Sequence, residues 1–315
     1  MKIRFGYVSI PKTLNITSSH TITYNNYEKI IKEQGLKEAN KKLQQIIKTN
    51  LINLKQILIY NIRNGIHFYR MSSNIFPLIT HPNVKFNVLK HFKEQLKNIG
   101  EIINKNNLRV DIHLDQFCVL NSTNKEIVKS TINIIKFHKN MLKAMNLKTY
   151  MIIHIGSNVL GKKNSITRFI NNFSLLDEET KNMIIIENDD KVFNIKDTLY
   201  ICNRLNIPMV LDYHHYICNN EGEKLEDYIE QIIKTWNEDI SKIHLSSSKT
   251  KKEFRSHNDY INIEDFINLL KIIQNQKKDI DIMIEAKEKD FALFKLIREL
   301  KYRNYKFIDD TTLIV

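Results

Sequence analysis

The chain is poor in cysteine, proline, glycine and tryptophan, and it has no long apolar run. Its 315 residues include three cysteines, seven glycines, four prolines and one tryptophan. Cys118, Cys202 and Cys218 are odd in number and form no C-x-x-C pair. Neither a disulfide framework nor a thiolate zinc site is therefore expected, and a reducing cytoplasm suits the chain. No apolar stretch reaches the ~18 residues of a membrane span. The start reads as a short strand rather than a secretion signal, because no charged segment precedes a long apolar stretch with a cleavage site. Proline, glycine and serine form no linker, and there is no low-complexity tail or tight repeat. One domain over residues 1–315 is the simplest expectation, with 289–315 as its final helix and C-terminal extension. No Ser or Cys lies in a recognisable nucleophilic triad, and no feature calls for an obligate protein partner.

Positive charge is abundant instead. The formal net charge is +13 and the pI about 9.4, which favours a polyanionic partner through release of counterions from phosphates. The richness in Lys, Asn and Ile is also a genome-wide habit of AT-rich organisms, so charge by itself does not decide the function.

Short β-type runs alternate with helical patterns along the whole chain. The strands are expected at 3–7, 66–71, 108–113, 149–154, 183–187, 208–212, 241–245 and 281–285. Several are nearly continuous apolar runs, as strands of a parallel sheet covered by helices should be. Helical spacing covers 27–61, broken near Gly35, then 86–103, 125–145, 166–176, 195–205, 225–236, 263–273 and 291–302. Asn262 can cap one of these helices, with Glu264 and Asp265 at the positive end of its dipole. Eight strand–helix units in regular alternation predict an α/β fold, the TIM (β/α)8 barrel.

The polar residues fall at the ends of the strands. Strands three to six end in His113, His154, Glu187 and Asp212; strand seven carries His244 near its end, and strand eight ends in Glu285. In a TIM barrel these ends meet on one face, where active sites are built. Converging carboxylates and imidazoles repel one another or lie unpaired unless cations sit among them. Imidazole with carboxylate is the ligand set of zinc or manganese. Glu187 lies midway in barrel order and can bridge two metals. His215, in D-Y-H-H, and His257, in the polar loop after strand seven, can together hold a third, while the neighbouring His214 reads as structural.

The chain resembles the UV damage endonuclease family from about residue 3 to 289. The matching stretches are FGY, ITHP, HLDQF, IIHIGS, IIIEND, LDYHH, KIHLSS, FRSHND and MIEAKEKD, in this order. The resemblance implies a TIM barrel related to the endonuclease IV group and holding three divalent metals, usually manganese, with zinc, cobalt or magnesium as alternatives. It assigns His113, His154 and Glu187 to one metal, Glu187, Asp212, His244 and Glu285 to a second, and His215 and His257 to a third. His81 matches a histidine beside the scissile phosphate, and Lys242 a lysine that can be carboxylated. Tyr7, Gln116 and Phe117 match positions that probe the lesion, though Tyr7 could equally be a core residue at the barrel's end. The family's usual His-Pro-Gly-Gln-aromatic is here His113-Leu114-Asp115-Gln116-Phe117, which alters the options of that turn.

The activity implied is hydrolysis of damaged double-stranded DNA immediately 5′ to a distorting lesion, leaving 3′-hydroxyl and 5′-phosphate ends. Metal ions would polarise the phosphoryl group, while Glu187, His81 and Lys242 act in catalysis. Lys249, Lys251, Lys252 and Arg255 would hold the backbone. A sugar isomerase or epimerase on the same barrel would share the Glu–Asp–His–Glu set of strands five to eight, but would not need His215, His257 or the basic loops. A non-catalytic DNA-binding barrel would have lost ligands that are present here.

Overall fold

A computed structural model describes residues 1–315. Its eight parallel strands are β1 (Lys2–Val8), β2 (Phe68–Met71), β3 (Arg109–His113), β4 (Met151–His154), β5 (Ile184–Glu187), β6 (Met209–Asp212), β7 (Ser241–Leu245) and β8 (Ile280–Ile284). Each pairs with the next, and β1 pairs with both β8 and β2, which closes the barrel. The expected TIM barrel is present. Gly6 is needed where β1 meets β2, because a Cβ there would lie 2.2 Å from the Phe68 carbonyl oxygen.

The outer ring begins with α1 (Tyr24–Gln34) and α2 (Leu36–Arg63), which part at Gly35 with φ 87°, the break that the sequence signals. Along α2, Leu43, Ile47, Leu51, Leu54 and Leu58 are buried, a stripe at three- to four-residue spacing that faces the barrel. Next come α3 (Val88–His91), α4 (Lys93–Lys105), α5 (Lys125–Ala144), α6 (Lys162–Phe173), α7 (Glu178–Lys181) and α8 (Ile195–Leu205), followed by α9 (Tyr213–Cys218), α10 (Ile229–Lys234), α11 (Ile263–Ile273) and α12 (Lys289–Tyr302). Helix α9 was not expected; Asp212 caps it by accepting the His215 N–H at 2.7 Å, so the residue that ends β6 also starts a helix.

The C-terminal extension forms β9 (Lys306–Phe307) and β10 (Thr312–Ile314). Strand β10 runs antiparallel to Lys2–Arg4, whereas β2 pairs only with Gly6–Val8. The extension thus completes the lower edge of β1. Five corners that lead from a helix into the next strand hold an asparagine in the left-handed region: Asn107, Asn146, Asn206, Asn237 and Asn304, with φ between 50° and 64°. These are positions where glycine is the usual choice, and this chain has few glycines.

Candidate metal centre

In a barrel every second strand residue faces inward. The inward set ends in His113, His154, Glu187, Asp212 and His244, with Glu285 directly after β8. Contacts from Glu187 of β5 to β3 and β7, which are not its neighbours, show that these side chains meet in the interior. His113 Nε2 lies 2.9 Å from Glu187 Oε2, and His244 Nδ1 lies 3.0 Å from Glu187 Oε1 and 3.2 Å from Glu285 Oε1. Two groups result, each with its ligand atoms within 4.8 Å of one another: His113, His154 and Glu187; and Glu187, Asp212, His244 and Glu285. Glu187 belongs to both.

The donor set fits cations on three observations. First, His113, His215 and His257 each donate Nδ1–H to a main-chain carbonyl, of Leu114 at 2.8 Å, Asn188 at 2.9 Å and Glu285 at 2.8 Å. A carbonyl only accepts, so the Nδ1 proton of each ring is fixed and Nε2 is the atom that a cation could take. Second, His113 Nε2 faces a carboxylate oxygen, an arrangement that needs a proton or a metal between the two. Third, His154 Nδ1 and Asp212 Oδ2 are buried with no hydrogen-bond partner. Buried polar atoms are rarely left so.

The same crowding displaces protonation. Burial pushes His154 down to about 4 and lifts Asp212 to about 6. Burial opposes the charge on His215, but Asp212 and Glu187 outweigh it and raise the imidazole to about 9. At pH 7.5 a ring so raised is protonated, and a cation taking its Nε2 would displace that proton. Metal binding is therefore expected to release about one proton from this residue, readable by calorimetry in two buffers of different ionisation enthalpy. Because His215 is raised above its ordinary 6.5, its contribution to metal-free stability is complete below that pH and disappears as pH climbs through about 9. In chelator, the Tm should fall across this interval; a flat profile would show that the two carboxylates do not hold the ring.

Around the rim, His215 and His257 have ring centroids 6.2 Å apart. His214 is buried, 5.4 Å from the His257 ring and close to the Arg255 carbonyl. His81 stacks on Tyr24 at 4.0 Å and accepts the Asn83 N–H at Nδ1, which leaves Nε2–H to donate. Gln116 and Phe117 are exposed. The altered turn before them is an Asx turn: Asp115 Oδ1 accepts the Phe117 N–H at 2.9 Å, and Leu114 is buried. In the basic loop Lys249 pairs with Glu253, Arg255 lies against Asp190, and Lys251 and Lys252 are exposed.

Tyr7 requires a correction. It is fully buried, with its ring 5.4 Å from Tyr69 and its hydroxyl donated to Asn61 of α2 at 2.7 Å. Its neighbours in β1 face the interior, so alternation turns Tyr7 outward beneath the helices, away from any surface that a duplex can reach.

Sequence reasoning missed a second charged layer, one step below the ligands. Asp111 precedes His113 by two residues and Lys242 precedes His244 by two, so each shares its ligand's inward face. The two form an ion pair across the barrel, since β3 and β7 are not neighbours. Lys242 is buried there, and burial, partly offset by Asp111, lowers it to about 8. Arg70 in β2 donates to Glu285 at 2.6 Å and to His244 Nε2 at 2.5 Å, and its Nε lies 3.5 Å from Asp111. Lower still, Asp281 holds Arg4 at 2.6 Å and Arg109 at 2.5 Å. The available signal was a charge at inward parity within an apolar strand.

Comparison with known proteins adds an independent line. The family model described as UV-endonuclease UvdE matches residues 3–313. A UV DNA damage endonuclease of Bacillus mycoides (strain KBAB4) is 39% identical over 319 aligned positions, covering 99% of both proteins. The crystal structure of SacUVDE superposes with a TM-score of 0.85 at 34% identity, covering 96% of this chain and 99% of that one. An L-ribulose 3-epimerase superposes with a TM-score of 0.53 at 14% identity, over 74% of this chain and 75% of its own, a likeness of fold alone. With the match running from one end to the other at such identity, the chain belongs to the UV-endonuclease family.

Proposed function

We propose that this DNA-repair endonuclease hydrolyses the phosphodiester immediately 5′ to a distorting lesion in duplex DNA, leaving 3′-hydroxyl and 5′-phosphate ends, with divalent cations at the top of the barrel. The observation that carries the reading is the trio of histidines whose Nδ1–H groups are tied to main-chain carbonyls, around carboxylates that share Glu187. His113, His154 and Glu187 would hold one cation, Glu187, Asp212, His244 and Glu285 a second, and His215 with His257 part of a third. Manganese is the metal that the family resemblance favours. Such cations supply Lewis-acid polarisation of the phosphate and activation of water near neutral pH.

The protein's own groups do the rest. His81, fixed by Tyr24 and with Nε2–H free, donates to a phosphate oxygen as charge develops. Lys251 and Lys252 meet the backbone, with Lys249 and Arg255 beside them. Gln116 and Phe117 test the base pair, and damaged pairs cost less to unstack, which extends the substrates from pyrimidine dimers to 6–4 photoproducts. Lys242 acts as an ammonium: a carboxylated lysine would set a second negative charge against buried Asp111.

The test is a 5′-end-labelled duplex carrying one defined photoproduct. With manganese, one nick directly 5′ to the lesion is expected, lost in EDTA and restored by added metal. Equal cutting of an undamaged duplex would remove the repair specificity, and incision indifferent to EDTA would remove the metals.

A further inference from the structure

Two apolar side chains stand in water on a loop that is built not to move. Val159 and Leu160, between β4 and α6, are 51% and 70% exposed, and Leu160 has a φ of 67°. The left-handed region is unusual for a bulky residue and marks local strain. Hydrogen bonds, most of them partly buried, hold the tip in place. Asn121 exchanges two bonds with Ser157, at 2.7 and 2.8 Å. Arg168 donates to the carbonyls of both Asn121 and Val159, and the Ser165 hydroxyl also reaches the Val159 carbonyl, at 3.2 Å. Gly156 lets the chain through, since a Cβ there would lie 2.8 Å from the Asn121 amide oxygen.

Folding alone gives no reason to brace an exposed leucine in a strained conformation. The loop follows directly on the ligand His154, and its anchor Asn121 belongs to the adjoining loop, which carries Phe117 at 75% exposure. Two apolar tips on linked loops therefore lie at the carboxyl end of the barrel, the end that carries the candidate metal centre, in a strongly basic protein. A duplex with a disturbed base pair offers apolar base faces beside its phosphates, it is the substrate of the nuclease reading above, and apolar side chains enter such steps in other DNA-bending proteins. We infer that Val159 and Leu160 form a wedge that enters the disturbed base step and replaces the stacking lost there. The inference rests on the nuclease reading above.

The test uses the manganese-loaded protein and a duplex with 2-aminopurine beside a photoproduct, followed by stopped flow. Wild type should show a fluorescence rise, from unstacking, ahead of incision. Val159→Ser/Leu160→Ser should lose most of that rise and on the order of tenfold in kcat/KM. The loss should shrink several-fold when the lesion already faces an unpaired stretch. Leu160→Gly relieves the backbone strain, so its Tm should hold or rise while its unstacking signal falls, which separates the wedge from misfolding. Variants that unstack and cut as wild type does would overturn the wedge alone, as would an equal deficit on both substrates. A wild type that neither cuts nor unstacks damaged duplex would overturn the nuclease reading and the wedge with it.

Discussion

Replacing Glu187 by Gln is expected to abolish incision while leaving the barrel folded. The side chain keeps its volume, so packing is undisturbed. What disappears is the one carboxylate common to both ligand groups, and with it the charge that faces His113, His244 and His215. Removing one well-placed electrostatic group from an active site typically costs a factor of 10²–10³. A residue serving two cations should cost about a thousandfold or more. Glu187 is itself held well below the ordinary carboxylate range, because His244 and His154 overcome the burial that would raise it. It also helps to raise Asp212. Its neutralisation eases the repulsion with Asp212 but removes the larger attraction to the surrounding imidazoles, so the Tm in chelator should fall modestly. The added Tm that manganese gives wild type, about 2.7 kcal/mol of stability at a hundredfold excess over Kd, should largely vanish. Metal content by mass spectrometry and incision by gel decide the matter: a variant that loads metal normally and cuts within tenfold of wild type would show that Glu187 bridges nothing.

Arg70→Met should have the largest effect on stability. The guanidinium is buried among Glu285, Asp111 and His244, and it is a main reason that Glu285 stays ionised despite its burial. Taking away one partner of a buried ion network leaves carboxylates uncompensated, at a cost of about 3–5 kcal/mol. A cation placed against the same carboxylates would supply part of the missing charge. The variant should therefore unfold earlier in chelator, yet gain more Tm from manganese than wild type does, a combination that simple loss of packing would not produce. Incision should fall by about ten- to a hundredfold, as His244 and Glu285 lose the group that aims them. Chemical denaturation with and without metal measures both quantities; a loss of stability that metal leaves untouched would assign Arg70 to packing alone.

The difference between these two residues shows what a sequence discloses. Glu187 stood out because it ends an apolar run, and the ends of parallel strands must meet. The same reasoning located His113, His154, Asp212, His244 and Glu285, and the structure brings all six together. Arg70 and Asp111 lie inside their strands, and their partners are set by how far the strands are sheared around the barrel, which no local pattern records. Tyr7 failed for a related reason. The family resemblance matched it to a lesion-probing position, but its parity in β1 makes it the other thing such a residue can be, part of the core. Helix α9 was hidden because its cap is Asp212, a residue already read as a ligand. The extension forms β9 and β10, strands of only two and three residues, too short to announce themselves despite the β-type run at 311–315, and β10 takes its place on the free edge of β1.

The asparagines at the floor of the barrel carry a practical consequence. Each occupies a left-handed corner where glycine would escape a Cβ clash of up to about 1–2 kcal/mol, against roughly 0.5–1 kcal/mol for the freedom it adds to the unfolded chain, a small net gain per site. Every one lies at the opposite end from the chemistry. Heat resistance can therefore be engineered into this enzyme from below, by edits that never approach the reacting phosphate, so the usual bargain between robustness and turnover need not be struck.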